Sequence, residues 1–214
     1  MKKVIFIVLF WVGLTNGVFA IPLGFGIKGG LDMACLVSDL SFPSTVLTTD
    51  VVFGFTGGVF VDMGLTDVLS FQSEVNFTMK GNQVNYHHIP VVNQPGAILG
   101  YLDGATNTYD YLEIPLLLKA KTLLGPQLQG GLFTGPAPAF LLSANVKYST
   151  SVPGLLTALN MTNFDLGWIV GVGIEFDRFL LDVRYDFSFN NVFPGFINGP
   201  NNSVLSLEVG YRIQ

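Results

Sequence analysis

Leu69-Ser70-Phe71-Gln72-Ser73-Glu74-Val75-Asn76-Phe77-Thr78-Met79-Lys80 is the stretch that decides the fold. Its odd positions are apolar or small and its even positions are polar. Side chains of a β-strand alternate between two faces, so this is one strand with an oily face and a wet face. It is about twice the usual soluble strand of roughly 5–6 residues. A strand that crosses a bilayer at a tilt needs about 9–11 residues, which it supplies.

The same alternation recurs in both directions along the chain. Before it stand residues 24–36, with Phe25, Ile27, Leu31, Met33 and Cys35 on the oily face, and residues 51–65. After it come residues 109–121, 127–142, 163–176, 179–189 and 204–214. The connections alternate between long and short: residues 37–50, 81–108, 143–162 and 190–203 are long and polar, whereas Thr66-Asp67, Leu124–Pro126 and Asp177-Arg178 are tight turns. Eight amphipathic strands with this rhythm predict an all-β protein, an eight-stranded antiparallel up-and-down transmembrane β-barrel. An open sheet edge in lipid would leave backbone groups unpaired, so the sheet must close.

Composition agrees with a chain that lives in an apolar solvent. Half of it is hydrophobic and only 12% is charged, against a usual charged share of about 25%. Met1–Ala20 reads as a secretory signal, with Lys2 and Lys3, an apolar run and a Val18-Phe19-Ala20 cleavage site. The domain organisation is then a leader at 1–20 and one barrel at 21–214. Cleavage leaves eight Lys and Arg against fifteen Asp and Glu, a formal charge of −7. That balance argues against nucleic acid, which calls for a basic surface. Cys35 is alone, so no internal disulfide forms.

Periodicity does not say which face points outward, and a soluble lipocalin-like barrel would turn the oily face inward around a ligand. Residue size separates the two. The oily face is bulky and the polar face is rich in glycine, while the bore of an eight-stranded barrel is just wide enough for side chains to fill it. Bulky residues are therefore expected outside, with Phe71, Phe77, Leu116, Phe164, Trp168, Val170, Val172, Tyr185, Phe187 and Tyr211 facing lipid. The inner face is expected to hold a charge network of Lys28, Asp32, Asp62, Glu74, Glu113, Lys119, Lys121, Asp165, Glu175, Asp182, Arg184, Glu208 and Arg212, with Lys80 among the cations. Those charges predict an ion-paired plug rather than a pore.

Several residues resemble the PorT-like outer-membrane β-barrel family of Gram-negative bacteria. They are Gly26-Ile27-Lys28-Gly29-Gly30, Lys80-Gly81, Tyr111-Leu112-Glu113-Ile114-Pro115-Leu116-Leu117-Leu118-Lys119, Arg184-Tyr185 and Val209-Gly210-Tyr211. The family's fifth strand commonly has an aromatic soon after Gly-Pro, whereas Gly135-Pro136 continues here as Ala137-Pro138, and the last strand ends on Ile213-Gln214 rather than an aromatic. The resemblance implies a Gram-negative outer-membrane location and no particular reaction.

Chemistry-bearing constellations are sparse. His87-His88 lies in the long segment 81–108 with no Cys or third His to complete a metal site, and no Ser is tied to it by spacing. No catalytic, cofactor or metal residue is therefore assigned. The expected contacts are membrane lipid and, through loops 37–50, 81–108, 143–162 and 190–203, envelope proteins or surface ligands. A barrel enzyme acting on lipid is the alternative function. Pro136 and Pro138 break the pattern, since neither can donate to a ladder and both aim at the same neighbouring strand. They are expected near the extracellular rim or at a bulge.

Overall fold

The computed structural model describes residues 23–37, 47–94, 97–150, 162–192 and 201–214. The leader expected at residues 1–20 lies outside the described residues. The described residues form ten strands: β1 Leu23–Val37, β2 Leu47–Asp50, β3 Val52–Gly64, β4 Leu69–Gln94, β5 Ala97–Glu113, β6 Leu116–Leu123, β7 Leu128–Thr150, β8 Phe164–Phe176, β9 Phe179–Asn191 and β10 Asn201–Arg212. All pairings are antiparallel, and the wall closes where β1 meets β10, from Gly26↔Arg212 to Val37↔Asn201.

Ten strands reduce to eight staves. β5 and β6 keep one register against β4, with Asn76↔Glu113 and Ser73↔Leu116 on either side of the gap. The interruption is Ile114-Pro115, where proline lacks the donor a ladder needs. Hydrogen bonds still cross it: Glu74 N–H donates to the Pro115 carbonyl at 3.0 Å and Ile114 N–H to the Pro138 carbonyl at 2.8 Å. β2 is a short flank on the upper part of β4, pairing Leu47↔Tyr86 to Asp50↔Gln83. The ring runs β1, β3, β4, β5 with β6, β7, β8, β9, β10 and back to β1.

The alternation places the faces as it should in a lipid-facing wall. β8 alternates exposed Phe164, Leu166, Trp168, Val170, Val172, Ile174 and Phe176 with inward positions that include Asp165, Ile169 and Glu175. β8 and β9 join through Asp177-Arg178, and Asp177 takes φ 53° there. Short polar side chains tolerate that left-handed conformation better than most.

The upper half departs from the loop expectation. Residues 81–108, read as a polar loop, continue β4 and β5 as an antiparallel hairpin, from Gly81↔Thr108 to Gln94↔Ala97 with register shifts at three places. His87 and His88 consequently lie in a strand. Residues 143–150 continue β7 and pair with β5 as far as Leu102↔Thr150. Residues 47–50 form β2, while Val37, residues 190–191 and residues 201–203 belong to β1, β9 and β10. Polar alternation without apolar content does not look like membrane strand, yet paired strands need no lipid once they leave the bilayer. Positions 38–46, 95–96, 151–161 and 193–200 of those expected loops lie outside the described residues.

The prolines fall on one seam, as their spacing requires. β7 keeps unbroken register with β8 across Pro136↔Trp168 and Pro138↔Leu166. Toward β5 and β6 its ladder is interrupted between Glu113↔Ala139 and Leu118↔Thr134. Pro138 sits opposite Leu166, near the upper end of β8, but β7 runs on to Thr150. The prolines are thus in the upper wall and not at a strand end.

Candidate functional site in the barrel lumen

Each charge of the lumen is carried by a β position that alternation turns inward, and strand register stacks these positions into three tiers. The lower tier lies toward the short turns, which is the periplasmic end of such a barrel. Here Lys121 Nζ meets Asp62 Oδ2 at 2.6 Å and Arg212 Nη2 bridges Asp62 and Glu175 at 3.2 and 2.9 Å. Lys119 Nζ reaches Glu175 at 3.1 Å and donates to Gln72 Oε1 at 3.0 Å.

The middle tier surrounds Glu74. Arg184 grips its two oxygens at 3.0 and 3.2 Å, a bidentate fork. Lys28 Nζ lies 2.9 Å from Glu74 and 2.7 Å from Glu208. Gln72 and Asn76 donate to the same carboxylate at 2.6 and 2.7 Å. Asp182 stands 3.5 Å from both Lys28 and Arg184. With every member buried, this cluster is held by charge and hydrogen bonding together.

The upper tier has one cation among the described residues. Lys80 Nζ is 2.5 Å from Asp186, 2.9 Å from Glu113 and 3.8 Å from Asp165. Asp165 also accepts from Ser188 at 2.7 Å and Asn202 at 3.0 Å. Asp32 is fully buried at this level, facing Ser206 in register, and neither of its oxygens reaches hydrogen-bond geometry. Counted as ionised, the tiers carry +1, −1 and −3 from bottom to top.

All thirteen residues expected in the network are turned inward, Lys121 and Arg212 remaining half-buried at the periplasmic mouth. The ten residues expected to face lipid lie on the outer face, seven exposed and Phe71, Phe77 and Phe187 half-buried. Two things were missed. Asp186, the shortest partner of Lys80, was not among the pairing acids, although Asp182-Arg184-Asp186 alternation puts it inside. The other is bulk within the bore: Phe60, Tyr109, Tyr111, Leu117, Phe133 and Ile169 are buried there. Inward glycines make the room, since a Cβ at Gly26 would strike the Phe60 ring and one at Gly171 the Phe133 ring. The rings in turn lie under cations, with Arg184 5.3 Å from the Phe133 centroid and Lys80 5.5 Å from that of Tyr111.

A closed ring with bulky apolar residues outside and paired charge inside is the architecture of a barrel that spans lipid. The sequence profile of the outer membrane protein beta-barrel domain family matches residues 16–194. The chain belongs to that family. It is a small integral β-barrel protein of the outer membrane, and the match stops short of its last strand, β10. Among curated proteins none matches the sequence. Among solved structures, Ail, the attachment invasion locus protein of Yersinia pestis, aligns with TM-score 0.43 at 10% identity, over 89% of this chain and 98% of that one. Neisserial surface protein A aligns with TM-score 0.42 at 14% identity, over 87% and 96%. The outer membrane enzyme PagL aligns with TM-score 0.35 at 11% identity, over 86% and 99%. Among the described residues no helix is long and apolar enough to cross a membrane.

Proposed function

We propose that the protein is a closed, non-enzymatic barrel whose task is carried out above the membrane, by a sheet that binds a partner at the cell surface or within the envelope. The carrying observation is strand length. β4 has 26 residues where β8 crosses the wall in 13. The surplus half of β4 amounts to about 43 Å of strand at roughly 3.3 Å per residue. It pairs with β2 on one side and β5 on the other, and β5 pairs with the extension of β7. Such an extracellular sheet is a platform, and the ion-paired lumen below it leaves little room for passage.

The platform's chemistry narrows the partner. The hairpin segment 81–110 carries Asp103 and Asp110 and no Lys or Arg, Lys147 lies on the β7 extension beside it, and Val92, Ile98 and Leu99 near the hairpin tip are exposed. An apolar, acid-flanked surface suits a protein or ligand with apolar and basic groups. Export by a leader cleaved after Ala20 and membership of the PorT-like group complete the reading, on the leader pattern and on the motifs from Gly26 to Tyr211.

The test replaces residues 86–103 by an Asn-Gly turn, joining the Asn85↔Gly104 pair. The variant is expected to keep heat-modifiable gel migration and outer-membrane location while failing to correct the adhesion or envelope defect of a deletion strain. A variant that restores the full phenotype would place the function in the barrel instead.

A further inference from the structure

The extracellular sheet narrows toward its top. At the level of Asn85↔Gly104 it is four strands wide, with β2 beside β4 and β7 beside β5. Beyond Leu102↔Thr150 only β4 and β5 stay paired among the described residues, through Pro90↔Tyr101, Val91↔Gly100 and Val92↔Ile98. Val92 lies about 36 Å of strand beyond Gly81, at roughly 3.3 Å per residue. The top of the platform is therefore a two-stranded hairpin standing well clear of the wall.

This tip departs from the alternation of the wall. Pro90, Val91 and Val92 are consecutive and apolar on β4, as are Ile98 and Leu99 on β5. Successive strand residues point to opposite faces, so the run on β4 makes both faces of the ribbon apolar. Val92, Ile98 and Leu99 are 56%, 55% and 51% exposed. A protein groove that receives a strand covers one face and its edge. A ribbon apolar on both faces suits a medium that is apolar on all sides, which is lipid. Charge agrees, since residues 81–102 contain no Asp, Glu, Lys or Arg and burying the tip desolvates no such ion. Asp103, exposed just below, opposes an anionic surface and favours a headgroup that ends in a cation, as choline does.

We propose that this tip inserts into a second bilayer apposed to the cell surface, one of zwitterionic lipid. The inference rests on the reading that the extracellular sheet is the working part of the protein, and it names the partner as a lipid surface. Interfacial elements sink about 5–10 Å into the boundary of headgroups and acyl chains. Entered end-on, that depth takes in roughly two or three residues of each strand from the turn, which reaches Val92, Ile98 and Leu99. Tyr101 then lies at the headgroups, where tyrosine is enriched. Asn93 and Gln94, nearer the turn, are polar but uncharged. Shallow entry keeps them and the open strand edges within reach of ester and headgroup partners.

The experiment mixes the full chain, held in lipid nanodiscs that leave the hairpin free, with phosphatidylcholine vesicles. Ile98→Cys in a Cys35→Ser background carries one environment-sensitive dye at the tip. Flotation with the vesicles and a blue shift of the dye are expected, with empty discs as the blank. Vesicles enriched in phosphatidylserine should bind several-fold more weakly. Val92→Asp and Leu99→Asp should each weaken binding roughly tenfold, the loss of one apolar side chain from lipid. Heat-modifiable migration checks that these variants fold, and Leu99→Ser, expected to weaken binding in the same direction, covers the case of one that does not. Absence of flotation with either vesicle overturns the proposal. If replacing residues 86–103 still leaves the deletion defect uncorrected, the platform then stands and its partner is a protein. Flotation confined to phosphatidylserine vesicles, or unchanged by both aspartate variants, puts binding on another surface and overturns the proposal too.

Discussion

Removing Arg184 should cost far more than removing Glu113, although both take one charge out of the same buried network. Arg184 is shared by Glu74 at 3.0 Å, Glu208 at 3.1 Å and Asp182 at 3.5 Å. Arg184→Met leaves these three carboxylates to Lys28 alone and takes the middle tier from −1 to −2. Breaking a buried pair by removing one partner costs roughly 3–5 kcal/mol, because the other charge stays desolvated. Glu113 sits in a tier with four carboxylates and a single lysine. Glu113→Gln takes that tier from −3 to −2, and Lys80 keeps Asp186 at 2.5 Å and Asp165 at 3.8 Å. Its expected cost is under about 1 kcal/mol, since it trades a buried like-charge repulsion for a neutral acceptor. Urea unfolding in lipid vesicles reads both, with Trp168 as the single tryptophan after residue 20. Adding Glu74→Gln to Arg184→Met should recover part of the loss, a coupling of roughly 0.5–3 kcal/mol. Similar large losses for Arg184→Met and Glu113→Gln would refute the tiered charge count.

On the outer wall, Val170→Arg should cost roughly 2–4 kcal/mol in the same assay, the penalty for a charge near the bilayer midplane; a loss below about 1 kcal/mol would put that face in water. Gly171→Ser, which polarity alone would make harmless on the inner face, should also destabilise, because its Cβ meets the Phe133 ring; wild-type stability would mean that the ring has space to move. Planar-bilayer recording of the purified barrel should show no steady large conductance, and wide open channels in the unmodified protein would sink the plug. Pro136→Val restores a donor toward Leu116 and should stabilise by roughly 0.5–1.5 kcal/mol, one net hydrogen bond, whereas no gain would show that this carbonyl already has another partner.

How much of this was legible follows from what alternation encodes. A period of two assigns faces, so the inward set from Lys28 to Arg212 and the outward set from Phe71 to Tyr211 can be read without any structure. It does not encode where a strand leaves the membrane. Residues 81–94 and 97–108 alternate weakly because no lipid sorts their faces, yet β4 and β5 continue through them. Nor does the alternation encode how inner side chains share the bore. Glycines at 26 and 171 suggest a narrow lumen filled with small groups, and the structure uses them as receptacles for Phe60 and Phe133. The signal was present in parity: Phe133 sits between Gly131 and Gly135 on the inner face, and Ile169 between Gly167 and Gly171. The prolines were more informative. Two residues apart on β7, Pro136 and Pro138 had to disturb one seam, and Pro115 marks the break in the stave facing them.

The placement of charge changes what the acidic composition means. Nine of the fifteen acids and six of the ten Lys and Arg lie in the lumen tiers. A low charged share therefore overstates the polarity of the surface, and most of what charge there is serves the interior. The residual acids divide unevenly. Asp50, Asp103 and Asp110 lie on the extracellular side, with Lys147 as the cation among the described residues there. The short turns at the other end hold Asp67, Asp177 and Arg178. The −3 upper tier adds its field to the same outward side, and low-dielectric walls focus that field toward the open end. Both contributions favour approach of basic groups from outside the cell and oppose anions.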